Sequence, residues 1–203
     1  MERFNNDIKQ FRKDLKFGHK VEKIVGEFML RNEFEGYNLS QVVYNTSKKH
    51  DKLKGWDIRL QNENNTCYVL LEVKSDADEY MNIANGNWSR FFIETEYKNN
   101  LSGINTTQAH IWCHYIDTTN ELYYGSVKDI KEWMRKNIIN INNKAVYKVV
   151  SKGNTSGYSI SMKEALKEDS PFYCVNVLTG EYKEKTSIIE ETKNEDVKCK
   201  QLF

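Results

Sequence analysis

Gly55-Trp56-Asp57-Ile58-Arg59-Leu60 and Val69-Leu70-Leu71-Glu72-Val73-Lys74 read as two strands, yet each places charge where a strand of this kind buries apolar residues. Side chains alternate between faces along a strand. Cys67, Val69, Leu71 and Val73 therefore share one face, and Leu70, Glu72 and Lys74 share the other. The connection Gln61-Asn62-Glu63-Asn64-Asn65-Thr66 is polar and rich in Asn, a residue that tolerates the positive φ of hairpin turns. With Asn64 and Asn65 at the centre of the turn, the register sets Asp57 directly across from Glu72, with Cβ atoms roughly 4.5–5.5 Å apart. Opposed carboxylates repel, and keeping them in a half-buried sheet is costly unless something positive lies between them. A hard divalent cation with oxygen ligands meets that need, and Lys74 adds a point charge at the same edge.

This trio suits phosphodiester hydrolysis, in which a cation bridges phosphate and water while a lysine positions the water and offsets transition-state charge. Asp57, followed fifteen positions later by Glu72-Val73-Lys74, resembles the D…(D/E)-x-K signature of the PD-(D/E)XK nuclease superfamily, with Trp56 in the place of the proline that names the motif. That superfamily includes restriction endonucleases, resolvases of branched DNA and phage exonucleases. Its members usually carry an acid on a helix ahead of the first strand. Residues 17–30 suit that helix, because Val21, Ile24, Val25, Phe28 and Met29 recur at helical spacing. Glu22 and Glu27 compete for the role. Glu22 lies beside the Gly18, Val25 and Met29 edge and is preferred, whereas Glu27 lies beside Lys20, Lys23 and Arg31. Phe91 to Tyr97, followed by Leu101-Ser102-Gly103 and Thr107-Gln108-Ala109, also resembles the strand, Ser-Gly loop and Thr-x-Ala turn of phage-type members.

The resemblance implies an α/β protein with a restriction endonuclease-like core, a central mixed β-sheet flanked by helices. It implies a Mg²⁺-dependent DNase, with Mn²⁺ able to substitute. Asp57, Glu72 and the Val73 carbonyl would hold the metal, Glu22 a second metal or its water, and Lys74 the attacking water. By alternation Glu94 and Glu96 share the face of Phe92; one of them reads as a further metal ligand or substrate contact or, equally open, as a solvated strand residue. Two other readings remain open: a catalytically inactive nucleic-acid-binding or assembly protein on the same fold, and a nuclease directed at RNA.

The balance of 30 basic against 29 acidic residues does not announce a nucleic-acid binder, so distribution carries more information than the total. Residues 1–54 hold twelve Lys or Arg against eight acids. Lys48, Lys49, Lys52 and Lys54 lead into the Asp57 strand, where they would hold a phosphate backbone. Among Trp56, Tyr80, Trp88 and Phe91, at most one is expected to stack on a base, the rest being core. Absence of an apolar signal region or an 18-residue apolar run predicts an intracellular, cytoplasmic product without a membrane span. Scattered Cys67, Cys113, Cys174 and Cys199 read as reduced thiols, and His110 and His114, on one strand face with Trp112, as packed or surface histidines.

Further along, 110–116 and 122–127 read as a hairpin. A helix capped by Ser126 follows, with Ile130, Trp133, Met134 and Ile138 on its apolar side. Residues 145–150 and 158–161 read as two short strands, and 163–167 as a short helix. Residues 1–178 form one nuclease-like domain in this reading, and 179–203 a charged, flexible tail or an arm for a protein partner. The final Lys200-Gln201-Leu202-Phe203 faintly resembles peptides that dock on sliding clamps. Abundant Asn and Lys with a single Pro suggest an AT-rich coding genome such as a phage's, and a homodimer is left open.

Overall fold

Alternation builds the hairpin foreseen from the sequence and sets it at the middle of a larger sheet. The computed structural model describes residues 2–31, 39–45, 55–76, 90–138, 146–150 and 155–186. Helix α1 (Glu2–Arg31) is followed by β1 (Gln41–Tyr44), β2 (Ile58–Gln61) and β3 (Tyr68–Asp76). Next come β4 (Arg90–Tyr97), β5 (Asn100–Leu101), a single 3₁₀ turn at Gly103–Asn105, β6 (Ile111–Ile116) and β7 (Glu121–Ser126). Helix α2 (Val127–Ile138), β8 (Val146–Val150), β9 (Thr155–Ser161), α3 (Met162–Ala165) and β10 (Tyr173–Asn176) complete the order. The result is an α/β protein with few helices. A six-stranded mixed sheet runs β1-β2-β3-β6-β7-β10, with β3 and β6 parallel. A three-stranded antiparallel sheet, β4-β9-β8, is extended at one edge by the two-residue β5.

The register of β2 on β3 is the expected one: Ile58 pairs with Leu71, Leu60 with Val69 and Gln61 with Tyr68. The turn is longer than two residues. Asn62 N–H donates to the Cys67 carbonyl at 3.1 Å, so four residues, with Asn65 at φ 54°, close the hairpin. Lengthening the loop by one residue on each side leaves its centre, and so the pairing, unchanged.

Each face of the large sheet has its own core. Ile58, Leu60, Val69, Leu71, Cys113 and Tyr115 meet Val21, Val25, Phe28 and Met29 of α1. On the other face Trp112, Ile116 and Tyr123 meet Phe91, Ile93 and Ile160 of the second sheet and Ile130, Trp133 and Met134 of α2. A second sheet therefore covers much of the face where sequence analysis expected helices. Helix α1 also starts well before residue 17; Arg12 to Lys16 are exposed, and Val21, Val25, Phe28 and Met29 pack on the sheet. No described helix is long and apolar enough to cross a membrane. Residues 179–186, placed in the tail from sequence, bond back onto the body: Lys183 N–H donates to the Cys174 carbonyl and Thr186 N–H to the Leu166 carbonyl. Lys48, Lys49, Lys52, Lys54, Tyr80, Trp88, Cys199 and the chain from Ser187 onward lie outside the described residues.

The loop after β5 is clamped to β4 by Ser102 N–H and Asn105 Nδ2, both donating to the Thr95 carbonyl at 2.9 and 3.0 Å. Gly103 sits there at φ 51°, and an added Cβ would come within 2.3 Å of the Glu94 carbonyl oxygen. Gly103→Ala is expected to cost about 2–4 kcal/mol, the sum of left-handed backbone strain and overpacking. Urea denaturation measures it, and an unchanged midpoint would mean that the clamp is not as tight as drawn.

Candidate active site

Asp57, Glu72 and Lys74 line one cleft of about 620 Å³ between the two sheets, together with Glu94, Trp56, Ser102 and Thr107. Glu72 and Lys74 project from β3 on the face opposite α1, as alternation predicts. The other wall comes from β4 and the loops on either side of β5.

Asp57 departs from the expected direct opposition. Strand pairing stops at Ile58, and the chain bends, so that Asp57 N–H donates to the Leu71 carbonyl at 2.8 Å. Its carboxylate takes over as a ladder acceptor, with Oδ2 receiving the Val73 N–H at 2.6 Å. The bend begins at Gly55, where a φ of 53° strains any side chain and the backbone of Thr106 to Gln108 would meet an added Cβ at 3.1–3.2 Å. Gly55 O accepts the Gln108 N–H at 2.9 Å and the Thr107 hydroxyl at 2.5 Å. The Thr107 Oγ1 also lies 3.2 Å from Glu72 Oε2, tying the approach to Asp57 to the second carboxylate.

Lys74 Nζ is 2.6 Å from Glu72 Oε1 and 5.8 Å from the centre of the Trp112 ring. Its side chain remains 41% exposed, so the ammonium borders solvent rather than being sealed in the core. Partial desolvation pulls the Lys74 pKa down, but Glu72, Asp57 and Glu94 outweigh it and leave the pKa above the usual lysine value. Asp57 moves the other way from an ordinary carboxylate. Burial and then the Glu72 charge push its pKa from 3.8 to about 7, against the pull of Lys74 and the Val73 N–H, with Glu22 the weakest of these influences. Three carboxylates against one ammonium leave the described lining with a surplus of negative charge.

Glu94 joins the cleft and accepts from Ser102 Oγ at 2.5 Å. Glu96 does not. A bulge lies between the two, and Glu96 accepts instead from Ser156 Oγ at 2.7 Å. Glu22 also stays out of the cleft, since α1 covers the opposite face of the sheet; it is 21% exposed and lies 3.1 Å from His19 Nδ1. Glu27 points to solvent with Arg31 at 3.6 Å. Val73 turns its side chain to the α1 face, so only its backbone can serve the cleft. Phe91 and His114 are buried against one another at 5.0 Å, which removes Phe91 as a base-stacking platform, while Trp56 stays at the cleft wall. The Ser-Gly loop and the Thr-x-Ala turn were visible in sequence; that Thr107 reaches Glu72 was not, because those residues are 35 positions apart.

Among the described residues no three of His, Cys, Asp and Glu form a group able to hold a metal by themselves. Asp57, Glu72, Glu94 and the Val73 backbone are the oxygen donors at the cleft. Burial, and then the Glu72 charge, raise the Asp57 pKa, and a hard cation would offset both, so the donor set fits an oxygen-coordinated divalent ion completed by water. Comparison with protein-family models, with curated proteins and with solved structures finds no match to this chain.

Without metal, a folded-state Asp57 pKa of about 7 against 3.8 means that the unfolded chain ionises first as pH rises. Stability is then lost between about pH 4 and pH 7, and the loss persists above that window. Asp57→Asn keeps the acceptor for Val73 and removes the charge. In EDTA it is expected to match wild type near pH 4 and to exceed it at pH 8, by on the order of 2 kcal/mol. Thermal melts across this range test it; a gap independent of pH would show that Asp57 is not strained.

Proposed function

We propose that this chain is a metal-dependent nuclease with a restriction endonuclease-like core, hydrolysing phosphodiester bonds of DNA. The observation that carries the reading is the convergence of Asp57, Glu72 and Lys74 in one negatively charged cleft. A helix packed on the sheet ahead of the acidic hairpin, and the parallel pairing of β3 with β6, support the finer fold assignment.

Asp57, Glu72 and the Val73 carbonyl would hold Mg²⁺ or Mn²⁺, which when bound supplies charge on the phosphate and a more acidic water. The chain's own groups do the rest. Val73 N–H fixes the orientation of Asp57, and the Lys74 ammonium that of Glu72. Lys74, kept protonated by its acidic neighbours, donates toward the attacking water and offsets charge on the pentacovalent phosphate. Ser102 holds Glu94 as a third acid at the cleft, the further ligand or substrate contact expected of Glu94 or Glu96.

Two observations favour a second reading, a nucleic-acid-binding or assembly protein on this fold. The Lys74 ammonium and Glu72 are closed on each other, and no three-donor group stands ready among the described residues. Differential melting separates the two, because a working site gains stability from Mn²⁺ by mass action and an inert one does not.

Lys74→Ala is expected to slow cleavage about 10²- to 10³-fold while leaving the fold and DNA affinity nearly intact. The assay uses supercoiled plasmid, linear duplex, single-stranded and four-way-junction DNA, and an RNA, each with Mg²⁺, Mn²⁺ or EDTA. Cutting by the variant at the wild-type rate would sink the role of Lys74, and cutting of RNA alone would change the substrate.

A further inference from the structure

The cleft does not end at Thr107. That residue and its neighbours Gln108 and His110 form the near wall of a second hollow of about 530 Å³, whose far wall is Lys128, Lys131 and Arg135 of α2. These three cations follow from the helical period. At 100° per residue, Lys131, Arg135 and Lys128 fall within about 60° of one another. The buried stripe Val127, Ile130, Trp133 and Met134 turns that flank outward beside the cleft. The acids of the helix, Asp129 and Glu132, border a separate hollow with Lys136; Glu132 pairs with Lys136 at 2.9 Å and feels Arg135 and Lys128 only as weaker neighbouring charges. Lys128, Lys131 and Arg135 make no ion pair with a described carboxylate. Glu96, which shares a third hollow with Lys131 and Arg135, is held by Ser156.

His110 adds a directed donor. Its Nδ1 accepts the Leu70 N–H at 3.1 Å, so in the neutral ring the proton sits on Nε2. A cleft rich in carboxylates followed by a surface of three cations and a fixed imidazole N–H suits a polyanion whose cut point lies at the acids and whose flank is held by the bases. Binding of that kind positions the backbone without reading sequence.

Resting on the nuclease reading above, we propose that the phosphate backbone of a DNA substrate runs from the Asp57–Glu72–Lys74 cleft across Thr107 and Gln108 onto the basic flank of α2, held by Lys128, Lys131 and Arg135. The contacts involve phosphates on one side of the cut, so they contribute affinity and leave the chemistry to the cleft.

The test is salt-dependent binding of a labelled DNA duplex in EDTA, read by fluorescence anisotropy for the full chain, for the triple variant Lys128→Gln, Lys131→Gln, Arg135→Gln, and for Lys136→Gln as the opposite-flank control. The triple variant is expected to bind about tenfold or more weakly at moderate salt, and its slope of log affinity on log salt to fall by about 2–3, near 0.9 for each phosphate no longer neutralised. The control should follow wild type. A triple variant with the wild-type slope overturns this path, and the nuclease reading survives if wild type still cuts with Mg²⁺ and Lys74→Ala does not. Wild type that neither binds nor cuts DNA overturns both. A loss seen with an RNA duplex but not with DNA overturns the DNA assignment. An Arg-for-Lys variant at 128 and 131, which keeps both charges, should retain the slope and guards against a folding defect in the triple variant.

Discussion

β3 lies between an antiparallel neighbour, β2, and a parallel one, β6, and the cleft depends on that parallel pairing. Parallel strands cannot be joined by a tight turn; the chain must leave the sheet and return along a long crossover. Here the crossover passes through β4 and β5, so the excursion from β3 to β6 carries Glu94, Ser102 and Thr107 back over the face where Glu72 and Lys74 project. The connection that the topology requires thus supplies the second wall of the cleft. Thr107 closes the circuit, bonded to Gly55 ahead of β2 and lying beside Glu72 on β3.

That arrangement places charge where a sheet would otherwise be dry. Trp112 is fully buried next to Lys74, and the pKa of Cys113 on the α1 side is pushed far up by burial and by the acids behind it. Asp57 bears most of the cost, with a raised pKa and a bent strand. Such strain persists only where surrounding structure determines it. The determinants are visible: Gly103 accepts a backbone approach that a Cβ would block, Gly55 holds a left-handed φ under tight backbone contact, and the Val73 N–H holds the Asp57 carboxylate in place. Local features that weaken a sheet are therefore concentrated around one cleft, while the two apolar cores on either side are continuous.

Much of this was legible in residue order because it rests on local periodicity. The face shared by Glu72 and Lys74, the register of the hairpin, the β6–β7 pair and the capping of α2 by Ser126 all follow from spacing of a few residues. The existence of β8 and β9 was legible too, though β9 begins at Thr155, three residues before the strand read from sequence. Less local features were not. A bend at Asp57 needs the backbone of Thr106 to Gln108, about fifty residues away, to press on Gly55. Glu94 and Glu96 look equivalent by alternation until a bulge sends them to different partners. The amphipathic edge of α1 made Glu22 attractive, but a helix pattern says which side is apolar and not which face of the sheet it will cover.

By itself, the sequence determined which residues lie on the same face of a strand or helix, because pleat and helical pitch are properties of the backbone shared by every chain. It therefore placed two acids and a lysine at one hairpin. Only the tertiary structure decided that the face carrying them would be roofed by a second sheet. The same packing brought Glu94 to the cleft, left Glu22 off its lining on the α1 side, and set the basic flank of α2 around a hollow that shares Thr107 with the cleft. Those outcomes depend on long-range packing of two cores against one sheet, and no local period encodes which core forms on which side.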